Sequence, residues 1–154
     1  MGFAFLDSAK RFIKEQAGNV KKFMNKDTIE GAGCAFAKAA LANGEVKPEE
    51  KQAITKELTN SEALGEWAID IVKAFEAAIP KLKSGSFVAE TEVAQKIAKI
   101  PKASPDAPVA GVIIATCISI GAADGDFDDD EKKVVKALAN DLGVDLEPYA
   151  ALFV

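Results

Sequence analysis

Apolar side chains recur every three to four positions along most of the chain, which is the spacing of amphipathic α-helices. The first stripe lies within residues 5–24 and has lysines on its opposite side. A second stretch, residues 109–123, is apolar almost all round and is therefore predicted to be the central, most buried helix. Four further helices are predicted at residues 48–58, from about 66 to 80, at 87–100, and from about 131 to a cap at Gly143.

Capping and breaking residues place the ends of these helices. Asp27 followed by Glu30 has the spacing of a capping box, which predicts a helix that begins at Asp27 and stops near Asn43 and Gly44. Pro80 is expected to kink or end the helix that contains it. Residues 101–108 hold three prolines and are predicted to be an extended connector.

The fold class that follows is all-α, a single-domain bundle of about seven helices without a sheet. A length of 154 residues fits one domain, and the abundance of Ala and Lys favours helix. Residues 1–26 form the basic amphipathic N-terminal helix in this prediction.

An internal repeat indicates two related halves, at about residues 27–83 and 105–154. The segment ANGEVKPEEK at 42–51 matches ADGDFDDDEK at 123–132 when it is shifted by 81 residues. Gly44 and Gly125 fall where a helix end needs a left-handed residue. Val46 and Phe127 are expected to turn inward at equivalent places, so that two helix–loop–helix units pack about a pseudo-two-fold axis.

The second of these loops is strongly acidic. Asp124, Asp126 and Asp128 have the i, i+2, i+4 spacing of the first ligands of an EF-hand. The rest of that loop is missing, because Asp129 stands where the glycine belongs and Val135 where the bidentate glutamate belongs. The loop is therefore not an EF-hand, although its carboxylates suit a hard cation.

Two interpretations of these acids remain open at this point and are compatible with each other. In one, Asp128 caps the following helix, Glu131 completes a capping box, and the other acids are solvated. In the other, the loop binds Ca²⁺ or Mg²⁺. The candidate ligands are Asp124, Asp126, Asp128 and Glu131, with a weaker set at Asn43, Glu45 and Glu50.

The composition argues against most enzymes. Histidine is absent, so neither a Ser-His-Asp nor a Cys-His arrangement exists, and no dinucleotide or phosphate-loop motif occurs. Cys34 and Cys117 lie in apolar surroundings and are predicted to be buried, reduced thiols. No catalytic residue is assigned; a metal-dependent hydrolase or reductase that uses the carboxylate cluster is the alternative function.

Charge is unevenly distributed. Residues 1–26 carry a net +4, whereas the whole chain carries −5, so residues 27–154 carry −9. This acidic balance argues against nucleic-acid binding. The basic N-terminal helix could contact an anionic membrane or an acidic protein. The longest apolar run is shorter than the ~20 residues of a spanning helix and no signal peptide is evident, which predicts a cytoplasmic location.

The two loop motifs carry a family resemblance. The sequence from 123 to 144, ADGDFDDDEKKVVKALANDLGV, and the segment ANGEVKPEEK resemble the two half-motifs of the TerB-like tellurite-resistance family. The resemblance spans nearly the whole chain and implies an all-helical, non-enzymatic stress-response module. It also implies protein partners and acidic loop residues as metal ligands. Asn43 stands where the family usually has Asp, which weakens a first-half site.

Overall fold

The computed structural model describes residues 2–123 and 127–153, and the side chains of residues 6–122 and 127–153. Within those ranges the chain forms seven α-helices and three short 3₁₀ segments, and no strand. The α-helices are α1 (Gly2–Val20), α2 (Lys26–Ala40), α3 (Pro48–Thr59), α4 (Ala68–Lys83), α5 (Phe87–Ala98), α6 (Val109–Ala123) and α7 (Asp129–Leu142). The 3₁₀ segments are Lys21–Phe23, Gly65–Trp67 and Glu147–Phe153. The predicted all-α fold is confirmed.

Helix α6 lies at the centre of the molecule, as its sequence predicts. Val112, Ile113, Ile114 and Ile118 are completely buried. Helix α1 covers one side of α6, and α2, α3 and α7 pack on its remaining sides. Since every face of α6 meets another helix, an apolar residue is favoured at almost every one of its positions.

Two glycines of α2 let its neighbours approach closely. A Cβ atom built on Gly33 would lie 2.5 Å from the Cβ of Ala74 in α4, and one on Gly31 would lie 2.7 Å from the carbonyl oxygen of Lys96 in α5. Real Cβ atoms do not tolerate such distances, so only glycine allows these crossings.

The start and end of α2 differ from the prediction. Asn25 is the N-cap, because its extended backbone places Oδ1 to accept a 2.9 Å hydrogen bond from the amide of Thr28. Asp27 therefore lies in the first turn, where the positive helix end still favours its charge. The helix ends at Ala40, and Leu41 to Gly44 form turns before the chain reverses.

Pro80 does not end α4, which continues to Lys83. The helix loses one hydrogen bond there, since proline has no N–H for the carbonyl of Glu76. Both residues are exposed, so that carbonyl lies on the solvent side, and the amide of Ser84 restores the ladder by donating to Pro80 at 3.0 Å. Helix α5 ends two residues before the predicted Ile100.

The connector from Pro101 to Pro108 joins the two parts of the chain. It is anchored where the amide of Ala103 donates to the carbonyl of Leu142 at 2.9 Å, and Ser104 and Ala107 close a small turn within it. Gly143 ends α7 in the left-handed conformation, with φ of 72°, as predicted. The pseudo-two-fold relation between the halves remains a prediction.

A candidate site between the two acidic loops

The loop before α3 and the start of α7 come together at one cavity, which we call the inter-loop pocket. Its volume is about 310 Å³, and α2, α3, α6 and α7 all contribute to its walls. The polar rim consists of Asn43, Glu49, Glu50 and Glu131. The larger apolar side chains of its walls are Phe36, Ile54, Cys117, Ile120, Phe127 and Val135. The two motifs that match in the sequence thus face the same space.

The second loop supplies a capped helix start. Asp128 has extended backbone angles and its Oδ1 accepts a 2.8 Å hydrogen bond from the amide of Glu131. The capping role predicted for Asp128 is therefore confirmed. Glu131 is half-buried and lies on the rim of the pocket. Asp124 and Asp126, the other two candidate ligands, lie outside the described residues, as does Gly125.

The residues that the first loop places at the pocket differ in part from the candidate ligands predicted for it. Asn43 and Glu50 line the pocket, but Glu45 is exposed and does not line it. Glu49, which the sequence of the first loop also offers, lines it as well, because it lies beside Glu50 in the first turn of α3. Gly44 has φ of 95°, the left-handed conformation predicted for it.

Phe127 holds the second loop against the core. A Cβ on Gly121 would lie 3.0 Å from its ring, and the ring of Phe153 meets it edge-on with centroids 5.8 Å apart. Phe127 is half-buried, and so is Val46 in the first loop; both pack on the core. Both residues turn inward as expected, but neither is fully buried.

The rim of the pocket is negatively charged. Three carboxylates line it without a lysine or arginine among the lining residues, and neither Glu49 nor Glu50 forms an ion pair with any residue that the structure describes. The two helix N-termini each contribute about half a positive charge, which offsets only part of this. Among residues 2–123 and 127–153, no group of three or more His, Cys, Asp or Glu has an arrangement that would hold a metal ion.

The two thiols are not activated nucleophiles. Both cysteines are buried and free. Burial raises the pKa of Cys117 to about 12, and burial also raises the pKa of Cys34, although Lys96 and Lys81 oppose the shift. Both thiols are therefore protonated at neutral pH, and a protonated thiol is a poor nucleophile and metal ligand.

Comparison with known proteins decides the family. The profile of the family described as tellurite resistance protein TerB matches residues 30–152, which include both loops and the whole inter-loop pocket. The chain belongs to the TerB family. Helix α1 lies before the matched region. No curated protein and no solved structure matches the chain.

Membership of the TerB family confirms the resemblance seen in the two motifs and supports a module of the tellurite-resistance type. TerB domains are generally non-enzymatic. The family match gives no support to the alternative of a hydrolase or reductase. No helix in the described residues is long and apolar enough to cross a membrane.

Proposed function

We propose that this chain is a non-catalytic, tellurite-resistance-type stress module that binds protein partners and a divalent cation through its paired acidic loops. One observation carries the proposal: Glu49 and Glu50 from the first motif and Glu131 from the second line the same pocket. Two sequence segments 81 residues apart thus supply carboxylates to one place, within the region that defines the TerB family.

The cation would be Ca²⁺ or Mg²⁺, because the available donors are oxygens and hard cations prefer them. The second loop would hold it through Asp124, Asp126, Asp128 and Glu131. One oxygen of Asp128 is already used by the helix cap, so this residue has the other oxygen to offer. The first loop would bind more weakly, since Asn43 carries no charge.

The remaining parts of the proposal concern partners and place. We propose a cytoplasmic protein that acts within a stress-response complex, with a peripheral membrane contact through α1 and without nucleic acid. Tellurite as the physiological stress follows from the family alone. The supporting feature in the chain is its charge distribution. Residues 1–26 carry a net +4 and the remainder is acidic, although the helix predicted over 1–26 ends at Val20 and half of these bases follow it.

Isothermal titration calorimetry with Ca²⁺ and with Mg²⁺ tests the cation. The test variant is Asp124→Asn/Asp128→Asn, which removes two charges while keeping a side-chain oxygen that can cap α7, since asparagine is as good an N-cap as aspartate. The matched control is Asp70→Asn/Asp106→Asn, which removes two exposed carboxylates elsewhere. We expect heat of binding for the wild type and control, and at least a tenfold weaker affinity for the test variant. Heat-free titrations for all three proteins would reject the cation.

A further inference from the structure

About half of the surface that lines the inter-loop pocket is apolar, and a cation site does not require that part. Phe36, Ile54, Ile120, Phe127 and Val135 line a space of about 310 Å³ together with the carboxylates. A hard cation is surrounded by oxygen ligands and water, so it would leave the partly exposed side chains of Ile120 and Phe127 uncovered. Apolar surface of this kind is stabilised when an apolar group fills it.

The size of the cavity limits its occupant. Ligand pockets for drug-sized molecules range from about 300 to 1,000 Å³, and this cavity is at the small end. It is suited to one large side chain or a small organic group. A long lipid chain would extend beyond the walls that α2, α3, α6 and α7 provide.

The charge of the rim limits the occupant further. Glu49 and Glu50 carry two negative charges and form no ion pair with the described residues, and the N-terminus of α3 supplies about half a positive charge. The net field at the mouth is therefore negative. An occupant with a positive group next to an apolar group would therefore be complementary both to the apolar side chains of the pocket and to the carboxylates of its rim.

We propose that the inter-loop pocket binds a segment of a protein partner that carries a large apolar side chain next to a lysine or arginine. The apolar side chain enters between Ile120 and Phe127, and the basic group contacts Glu49 and Glu50 at the rim. This inference rests on the proposed function, because it gives the chemistry of the protein partner that the module binds. It does not depend on a bound cation.

The probe is a fluorescein-labelled peptide with one phenylalanine flanked on each side by two lysines. Binding is measured by fluorescence anisotropy in a buffer containing EDTA, so that no divalent cation contributes. One comparison peptide replaces phenylalanine with alanine, and another replaces the lysines with glutamates. Hexylamine is tested as a competitor, because it presents the same chemistry without a peptide.

Two pairs of protein variants locate the binding. Ala40→Leu fills the pocket, and its control Ala77→Leu adds the same bulk to a groove lined by α2, α4 and α5. Glu49→Gln/Glu50→Gln removes rim charge, and its control Glu66→Gln/Glu90→Gln removes exposed charge elsewhere. Circular dichroism on each variant checks that the helices remain.

We expect the lysine–phenylalanine peptide to bind and the alanine peptide to bind about tenfold or more weakly, since the aromatic ring supplies most of the buried area. Ala40→Leu is expected to weaken binding by a similar factor. Glu49→Gln/Glu50→Gln is expected to weaken it about three- to tenfold, with a smaller effect in high salt. The two control variants are expected to bind as the wild type does.

Several results would overturn the inference. These are equal binding of all three peptides, no loss in Ala40→Leu, and binding of hexylamine without binding of the peptide. Peptide binding in EDTA together with heat-free Ca²⁺ and Mg²⁺ titrations would reject the proposed cation and leave this inference standing. Cation binding without peptide binding would reject this inference and leave the proposed cation standing. The failure of one can therefore be told from the failure of the other.

Discussion

Gly33 lies at a close contact between α2 and α4. A methyl group there would meet the Cβ of Ala74 at 2.5 Å, the amide nitrogen of Phe75 at 2.7 Å and the carbonyl oxygen of Ile71 at 2.8 Å. Two of these atoms are backbone and cannot move away alone. We expect Gly33→Ala to lower the free energy of unfolding by about 1–3 kcal/mol, measured by urea denaturation followed by circular dichroism.

Gly18 in α1 provides the matched control for Gly33. A Cβ there would meet no atom of the described residues within 4 Å, and the residue is exposed. Gly18→Ala is expected to stabilise by about 0.5–1 kcal/mol, because alanine is the better helix former. If both substitutions shifted the midpoint in the same direction, the close α2–α4 contact would not be the cause.

The N-cap of α2 was predicted wrongly because two nearby residues are both suited to that position. Asn25 and Asp27 are both good N-caps, and the capping-box spacing of Asp27 and Glu30 favoured the wrong one. The choice depends on where the chain leaves the preceding 3₁₀ segment, with Asn25 extended at ψ of 179°. At α7 the capping-box spacing of Asp128 and Glu131 selected the right residue among several aspartates, and this cap is confirmed.

At the level of elements, the best-predicted helices are those with local signals at both ends. Pro48 begins α3, and α6 spans residues 109–123 as predicted. The end of α2 was placed too late, because Leu41 and Ala42 continue the apolar pattern while the chain already turns. A helix end set by turns and tertiary contacts leaves little trace in periodicity.

The candidate site was predictable in its motifs but not in its shape. The repeat identified both loops, yet only the packing of α3 and α7 around α6 decides which acids face each other. Glu45 and Glu49 both have a carboxylate and lie four residues apart. Only Glu49, in the first turn of α3, lines the pocket. That selection depends on a long-range arrangement that spacing in one loop does not contain.

Helix α1 is the element that bears on the proposed membrane contact. Its apolar residues Ala9 and Ile13 are buried in the core, whereas Lys10, Arg11 and Lys14 are exposed, and none of these bases forms an ion pair within the described part of the chain. The side chain of Phe5, part of the predicted stripe, lies outside the described residues. The described part of α1 therefore supports the proposed membrane contact by its charge, since its apolar residues Ala9 and Ile13 are packed in the core.

We expect the protein to float with vesicles containing anionic lipid at low salt. Binding should disappear at 1 M salt, where the Debye length falls to about 3 Å. Lys10→Gln/Lys14→Gln/Lys21→Gln should lose the binding, because these bases are exposed on the N-terminal segment. The control Lys102→Gln/Lys133→Gln/Lys136→Gln removes as much charge elsewhere. Flotation that persists at high salt, or its absence at low salt, would count against this contact.

At the scale of the whole molecule, the burial of several titratable side chains makes the free energy of unfolding fall as the pH rises into the alkaline range. Burial raises the pKa of Cys117, Cys34 and Tyr149. The fold therefore favours the protonated form of each group, while the unfolded chain releases the proton at the ordinary pKa. The resulting stabilisation is complete below the unfolded pKa and is lost as pH rises through the folded one.

Cys117 gives the largest resolved value, since its pKa rises from 9.0 to about 12. Between pH 9 and about 10.5, the preference of the folded state for the protonated thiol should cost about 2 kcal/mol of unfolding free energy. Urea denaturation at several pH values across this range should give a free energy of unfolding that falls with pH for the wild type. Cys117→Ala lowers the free energy of unfolding near neutral pH because a small cavity remains, and it should remove about 2 kcal/mol of the fall between pH 9 and about 10.5. Cys34→Ala should reduce the fall with pH less, because Lys96 and Lys81 partly oppose the pKa shift there.

Parallel curves for the wild type and Cys117→Ala would mean that the thiol reaches water in the folded protein. The apolar part of the inter-loop pocket, which Cys117 lines, would then be open to solvent.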